Sequence, residues 1–532
     1  MDRVMLSGRF AELLRSNEPP LDVEVALLEP LIADSQSNLA DVKSLIASAE
    51  RNLAELREEC VRLEGIVSQQ KAVLHPLRRL PGDVLVEIFT IVKQMDWKST
   101  CDYEIWDICC GILSSQPHLT LDKAPWSLSY VCSRWRSLSL AMPLLWRNVI
   151  ANFSSPLKRG ITLLLGLQLQ RSGNVPLDVT LEHLPVFKAN DNIHPALAIL
   201  VQHASRWRRL IVTVPNVDAL DVLGQTIPFL PSLRFLNISC RDSGSVVNPN
   251  SFSNVFAFSP GLQEVKLTRI ENPYALCLPW SQIRTSMLDQ VSYFEPSVDI
   301  FRILQQSSQL ERVTFWDLCL GTPPDQPEDS TITLPLVREI EFSDCSVQEL
   351  TRVFRILVVP KLENLLVDQI SDDQPFADAS VLSPFIHGPY TPLRILNIEL
   401  RVACRKLSDI LRRTPSLVEL RVRLCEEISS EFLEDLLFNP QRQSSPLVPN
   451  LTRLEFSGSP EFDDDLMIRM IESRCQGSTT GRIQSLKKVE LYLGIFSSDD
   501  EPNTIECYDQ LSPFRIYNGG TLDLQLDWEL VD

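Results

Sequence analysis

The sequence predicts a mixed α and α/β fold. A long N-terminal helix comes first, then a small all-α block, then a solenoid with a concave parallel sheet and convex helices. Three observations predict it: an apolar seven-residue repeat from about residue 31, two apolar helical patterns either side of residues 92–122, and a short strand motif recurring beyond residue 160. At 532 residues the chain has room for several domains. The boundaries fall at 1–77, at 78–150 with an insertion at about 92–122, and at 160–532 with a C-terminal cap. A hydrophobic share of 44% is enough to bury cores.

The N-terminal helix is expected from two seams. One runs Ile32, Leu39, Ile46, Leu53, Cys60, Val67, Leu74, and the other Ser35, Val42, Ala49, Leu56, Leu63, Gln70, Leu77. Glu, Arg, Lys, Gln and Ser lie between them, and no proline intervenes before Pro76. Sustained heptads of this kind mark a coiled coil, which makes a homodimer one expected partner arrangement. A single helix lying along its own protein satisfies the same pattern.

In the block at 78–150, Leu80–Pro81 is a helix entry, because proline's missing N–H costs nothing in the first turn. Asp83 puts negative charge at the positive end of the helix. Val84, Leu85, Ile88 and Phe89 then recur at helical spacing. A second stripe holds Leu128, Val131, Cys132, Trp135 and Leu138, and Pro143–Leu144–Leu145–Trp146 closes the block. The intervening Cys101, Cys109, Cys110 and His118 lack the paired spacing of zinc ligands, so no metal is expected.

The order Leu-Pro-x-Asp, Ile-Phe, Val-Cys-x-x-Trp-Arg, Leu-Trp resembles an F-box, the helical module that docks a protein onto the Skp-type adaptor of a cullin ligase. The resemblance covers some 70 residues and departs from the compact pattern at the insertion after Val92. It implies that Leu80, Pro81, Ile88, Phe89, Val131, Cys132 and Trp135 bury against the adaptor.

The solenoid is expected from a motif of apolar positions spaced three and then two apart. Copies are Leu233–Leu236–Ile238, Leu262–Val265–Leu267, Leu288–Val291–Tyr293, Leu310–Val313–Phe315 and Val337–Ile340–Phe342. It continues through Leu362–Leu365–Val367, Leu393–Leu396–Ile398, Leu417–Leu420–Val422, Leu451–Leu454–Phe456 and Leu486–Val489–Leu491, with Trp207–Leu210–Val212 as a first copy. This is a leucine-rich-repeat signature. Helical patterns such as Val347–Leu357 and Leu466–Ser473 fall between copies, so each unit pairs a helix with a strand and only stacking buries its apolar face. The alternating run Thr521–Trp528 is expected to close the edge of the sheet. The combination of heptad helix, F-box and degenerate repeats resembles the large F-box families of mushroom-forming fungi.

Several functions are excluded as expectations. No apolar run reaches 18 residues, so no membrane partner is expected. A net charge of −19 disfavours nucleic acid. The thirteen cysteines have no framework spacing, which fits the cytoplasm or nucleus. None of the six histidines lies in a metalloprotease motif, and no phosphate loop or nucleophile elbow occurs, so neither an enzyme nor a cofactor is expected. Residues between the buried strand positions face outward. Among them Phe294, Trp316, Arg421, Arg423, Arg453 and Tyr492 are expected to hold a protein target, because aromatics and arginines dominate hot spots. The expected function is the substrate-recognition subunit of a Skp–cullin–F-box ubiquitin ligase. The alternative is a repeat scaffold with no ligase.

Overall fold

The computed structural model describes residues 8–109, 123–154, 159–187, 193–227, 229–241, 254–270, 273–290, 298–318, 331–368, 382, 386, 392–399, 407–441, 446–461, 464–477, 481–493 and 523–527. The chain divides into two compact units, Met1–Ile88 and Phe89–Asp532.

In the first unit a helix spans Asp22–Leu74 without a break and carries no buried side chain. Glu24 Oε2 accepts the Leu21 N–H at 2.8 Å, satisfying a donor at the helix entry. The helix starts nine residues before the expected heptad onset and passes through Pro30, which removes one intrahelical hydrogen bond near the start. Its end at Leu74 is followed by a short 3-10 turn, Pro76–Arg78.

The second unit is built on parallel strands. They are β1 (Asn148–Asn152), β2 (Leu177–Glu182), β3 (Trp207–Val214), β4 (Phe235–Cys240), β5 (Glu264–Thr268), β6 (Thr285–Asp289), β7 (Arg312–Trp316) and β8 (Ile332–Thr333). Then come β9 (Glu339–Ser343), β10 (Leu357–Val358), β11 (Asn364–Asp368), β12 (Ile395–Glu399), β13 (Glu419–Ser429), β14 (Arg453–Glu461), β15 (Lys488–Leu493) and β16 (Asp523–Asp527). All except β8 and β10 form one fourteen-stranded sheet in sequence order. The last strand lies at the edge beside β15, where the alternating C-terminal run was expected.

A recurring fork joins successive strands of the large sheet from β4 to β15. The Arg234 carbonyl accepts the N–H groups of Gln263 (3.0 Å) and Glu264 (3.1 Å), and the Arg394 carbonyl those of Val418 (2.8 Å) and Glu419 (2.9 Å). Register follows from these forks, so Leu236, Val265, Val313, Ile340, Leu365, Leu396, Leu420, Leu454 and Val489 all point inward. One apolar core runs from Val149 to Leu491. Inside it Phe315 and Phe342 stack with ring centres 5.2 Å apart, and Phe354 meets Phe342 edge-on at 5.3 Å. A Cβ on Gly261 would lie 2.9 Å from the Leu233 carbonyl oxygen, so the turn into β5 requires glycine.

Helices expected between strands are present at Val298–Gln306, Val347–Ile356, Leu407–Arg412, Ser430–Leu436 and Asp464–Gly477. Ser346 and Ser429 cap two of them through their hydroxyls. Helices also lie between the first strands, at Arg159–Arg171, Pro195–Val201 and Asp221–Thr226, and 3-10 turns occur in later connections, such as Asn254–Phe256 and the pair Pro273–Leu276 and Trp280–Gln282 between β5 and β6.

Two expectations are corrected. The sheet starts at Asn148, two strands before the Trp207 copy and ahead of the boundary set at 160. The copy assigned to Leu288–Val291–Tyr293 is instead Ile283–Ser286–Leu288: Ser286 occupies the buried middle position opposite Val265 and Val313. A small polar residue there hid the true register, and Val291 and Tyr293 lie outside the described residues.

Near the C-terminal end Arg474 is fully buried. It donates to the carbonyls of Leu436 (2.8 Å), Leu447 (2.6 Å) and Val448 (3.2 Å), fastening two helices and a turn. Burial pulls its guanidinium down to about 10. Removing the guanidinium would leave these carbonyls without their donor, at about 1–3 kcal/mol for each one left unsatisfied. Arg474→Ala should therefore lower the thermal midpoint sharply. Arg474→Lys should not restore it, since the three N–H groups of an ammonium leave one nitrogen and cannot reach carbonyls that Arg474 meets from three separate nitrogens. Circular dichroism melts of the three proteins check both outcomes.

Candidate interaction surfaces

The helical block begins where Leu80–Pro81 leads into the helix Gly82–Cys109, with the Leu85 N–H bonding the Pro81 carbonyl at 3.2 Å. Within the first unit, Pro81 and Val84 are exposed, Leu80 and Ile88 are half-buried, and Leu85 is buried.

In the second unit Phe89 is fully buried and packs on Trp135, ring centres 4.9 Å apart. Phe89 thus serves the interior, which departs from its expected place on a docking face. Ile91 and Met95 are exposed further along the same helix. The helical part of the expected insertion continues this helix to Cys109, while the side chains of its cysteines and His118 lie outside the described residues.

Two short helices, Trp126–Tyr130 and Ser133–Leu140, complete the block. Cys132 Sγ accepts the Trp135 N–H at 3.5 Å and so caps the second of them. Tyr130, Val131 and Cys132 project from the connection between the helices, all exposed. Beneath them the interior is filled by Leu128, Trp126 and Trp146, the two indoles meeting edge-on at 5.0 Å. The Trp146 indole N–H donates to the Ser139 carbonyl at 2.8 Å. Arg171, from the helix Arg159–Arg171, sits 4.5 Å from the Trp146 ring centre and 4.8 Å from that of Trp126. Next in sequence, Arg147 bonds Asp178 of β2 at 2.6 Å, and Arg208 of β3 reaches the same carboxylate at 3.2 Å. The block therefore runs straight into the first strands.

The outward face of the sheet is charged in an ordered way. At its C-terminal end Arg421, Arg423, Arg453 and Lys488 interleave with Glu399, Glu419, Glu455 and Glu490. Glu455 has a side chain only 1% exposed and is held by Arg423 at 2.7 Å and Arg421 at 3.4 Å. Glu490 receives Arg453 at 2.7 Å and Lys488 at 2.9 Å. Burial alone would raise the Glu490 carboxyl, but its bonds to Lys488 and Arg453 win and hold it below the usual range. The three arginines expected to meet a target are thus neutralised by their own strands' carboxylates. Trp316 is half-buried on the same face. Phe294 and the side chain of Tyr492 lie outside the described residues.

A second feature was missed in the sequence. After β5, β6, β7 and β9 the chain turns through Arg269, Gln290, Asp317 and Asp344, each with positive φ. Their N–H groups extend the ladder, bonding the carbonyls of Asp289, Trp316, Ser343 and Asp368 at 2.9 Å. Side chains follow the same row: Arg269 Nε donates to Gln290 Oε1 at 2.8 Å, and Gln290 Nε2 to Asp317 Oδ2 at 3.0 Å. Beyond Asp317 the surface turns acidic, with Asp344 next in the row, Asp368 at the end of β11 beside it, and Glu341 and Glu399 close to Asp368. Burial, then Glu399, Asp344 and Glu341, push the Asp368 carboxyl up to about 6, opposed by Arg423. Asp317 is also raised, by burial and by Asp344, against its bond from Gln290. For Arg269, Gln290, Asp317 and Asp344 the signal lay two residues past the third apolar position of successive repeats, and for Asp368 one residue past it.

Half-buried carboxylates with too few positive neighbours can gain from an incoming cation. Among the described residues no group of three His, Cys, Asp or Glu side chains could hold a metal ion. The acidic end of this surface is complementary in charge to basic side chains. No described helix is long and apolar enough to cross a membrane. No protein-family model matches the chain, and no curated protein matches it.

Asp368 has a folded pKa above its ordinary 3.8, so the folded chain holds this proton more tightly than the unfolded one. Stability falls as pH rises through the window from about 4 to 6, and the burden persists above it. Asp368→Asn should stabilise the protein by about 1 kcal/mol at pH 7.5, a figure discounted for a half-exposed group. The gain should shrink as pH drops through 6. Denaturation midpoints of both proteins across this range check it.

Proposed function

We propose that the chain is the substrate-recognition subunit of a Skp–cullin–F-box ubiquitin ligase acting in the cytoplasm or nucleus. The carrying observation is the set of apolar side chains left outside the helical block once its interior is complete. Phe89, Trp126, Leu128, Leu145 and Trp146 fill that interior. Tyr130, Val131 and Leu144, all on the second unit, remain in solvent. Exposed apolar residues that the core does not need are what a docking face leaves visible before its partner arrives. The residues match the F-box order in sequence, which supports the Skp-type adaptor as that partner.

The outward face of the sheet would hold the target. Its paired arginines give it shape and rigidity, while the acidic row from Asp317 to Asp368 favours a target with basic side chains. The chain then acts by proximity: it fixes a target near the ubiquitin-loaded enzyme and raises effective concentration, with no bond made or broken by its own residues.

Purified Skp-type adaptor should bind the full chain. Leu80→Ala/Pro81→Ala and, separately, Val131→Asp should each weaken binding at least tenfold while leaving the thermal midpoint within a few degrees, since Pro81 and Val131 are exposed. Calorimetric titration measures this. An intact, folded chain that binds no adaptor would sink the ligase reading and leave the scaffold alternative.

A further inference from the structure

We infer that the helix Asp22–Leu74 pairs with a second copy of this chain, and that the pair is antiparallel. The inference is independent of the ligase reading. Along this helix Leu39, Val42, Leu45, Ile46, Leu53, Leu56, Leu63, Ile66 and Val67 are all exposed. They form a face wider than two seams, because Leu45 and Ile66 lie on the flank beside the second seam.

The flanking residues decide the orientation. With Ile32 and Ser35 as the two seam positions, one flank holds Lys43, Glu50, Arg57 and Glu64, and the other holds Leu45, Asn52, Glu59 and Ile66. A parallel pair sets one flank against the other. Glu59 would then face the partner's Glu64, Leu45 the partner's Glu50, and Ile66 the partner's Lys71. One contact is repulsive and two strand a charge on an apolar side chain.

An antiparallel pair sets each flank against itself. With its two-fold axis between Ala54 and Glu55, Glu50 faces the partner's Arg57, Lys43 the partner's Glu64, and Leu45 the partner's Ile66. Each of these contacts occurs twice. The seams then match Leu53 with the partner's Leu56, Ile46 with the partner's Leu63, and Val42 with the partner's Val67. Small meets small where Cys60 lies opposite the partner's Ala49.

The charges on the first flank also lack partners of their own. Lys43, Glu50 and Arg57 have no opposite charge three or four residues away on their own helix. Off that flank the helix does use the local option, where Arg62 pairs with Glu59 at 2.6 Å. At 1.5 Å rise per residue, Leu74 and the partner's Leu74 stand about 60 Å apart. The two Leu80–Pro81 elements leave from opposite ends of the rod.

The test uses the full chain. Light scattering at micromolar concentration should give twice the monomer mass. Ala49→Cys, treated with a mild copper oxidant, should form an intermolecular disulfide between Cys60 and the introduced thiol, mapped by peptide mass. Adding Cys60→Ser should abolish it. Glu50→Lys should weaken the dimer about tenfold, and adding Arg57→Glu should restore it. A monomer mass throughout would overturn the pairing. A disulfide joining two Cys60 residues in the wild-type chain, or an Ala49→Cys crosslink that persists without Cys60, would overturn the orientation. Adaptor binding by the same samples reports on the ligase reading separately.

Discussion

Backbone hydrogen bonding between successive strands is the constraint from which the second unit follows. A lone strand–connection unit cannot satisfy its own N–H and carbonyl groups, nor bury its own apolar side chains. Each is completed by the next, through forks such as that at Arg234 and the parallel ladder beyond it. Because side chains alternate along a strand, that ladder also decides which residues face the core and which face solvent. A slip of one residue would turn Leu236 or Ile340 outward and bring Asn237 or Glu341 in. Core, surface charge and turn geometry are all consequences of one register.

Much of that register was legible because a buried middle position tolerates little but aliphatic side chains. Leu365, Leu396, Leu420 and Leu454 announce their strands without ambiguity. Legibility failed where the chemistry at that position changed. Ser286 is small enough to be buried in β6 but carries no hydrophobic signal, so the pattern was picked up five residues late. β1 and β2 escaped notice for another reason. Their inward residues Val149, Ala151, Leu177, Val179 and Leu181 alternate without the preceding leucine that marks later copies. The long helix was plain from its heptads, although its first turns include a proline that sequence rules treat as a stop.

Surface function was less legible than fold, since it depends on which residues become neighbours across strands. Arg421, Arg423 and Arg453 look like free cations in one dimension. Only parallel pairing sets Arg421 beside Glu455 and brings Glu490, diagonal to Arg453, within 2.7 Å of it, and so converts them into fixed lattice elements of the sheet. The acidic row has the opposite history. Asp317, Asp344 and Asp368 lie 24 or more residues apart in the chain and look unremarkable singly. Stacking brings the turns at Asp317 and Asp344 beside the end of β11, where burial, with repulsion between the carboxylates added to it, raises Asp317 and Asp368. Phe89 shows the same limit at the helical block: spacing placed it on an apolar face but could not tell an interior contact from an exterior one.

The junction around Trp146 carries a mechanical consequence. Within the second unit, Arg171 over two indoles and Asp178 between two arginines weld the short helices Trp126–Tyr130 and Ser133–Leu140 to the first strands. The sheet then works as a ruler. Strands stack at ~4.8 Å, which sets Trp316 and Asp317, six strands beyond β1, about 29 Å along it, and the far edge about 60 Å away. A molecule held on the outward face would sit at a distance from the Trp146 junction counted in whole strands. Gaining or losing one unit would change that reach by a fixed step, leaving both ends chemically untouched.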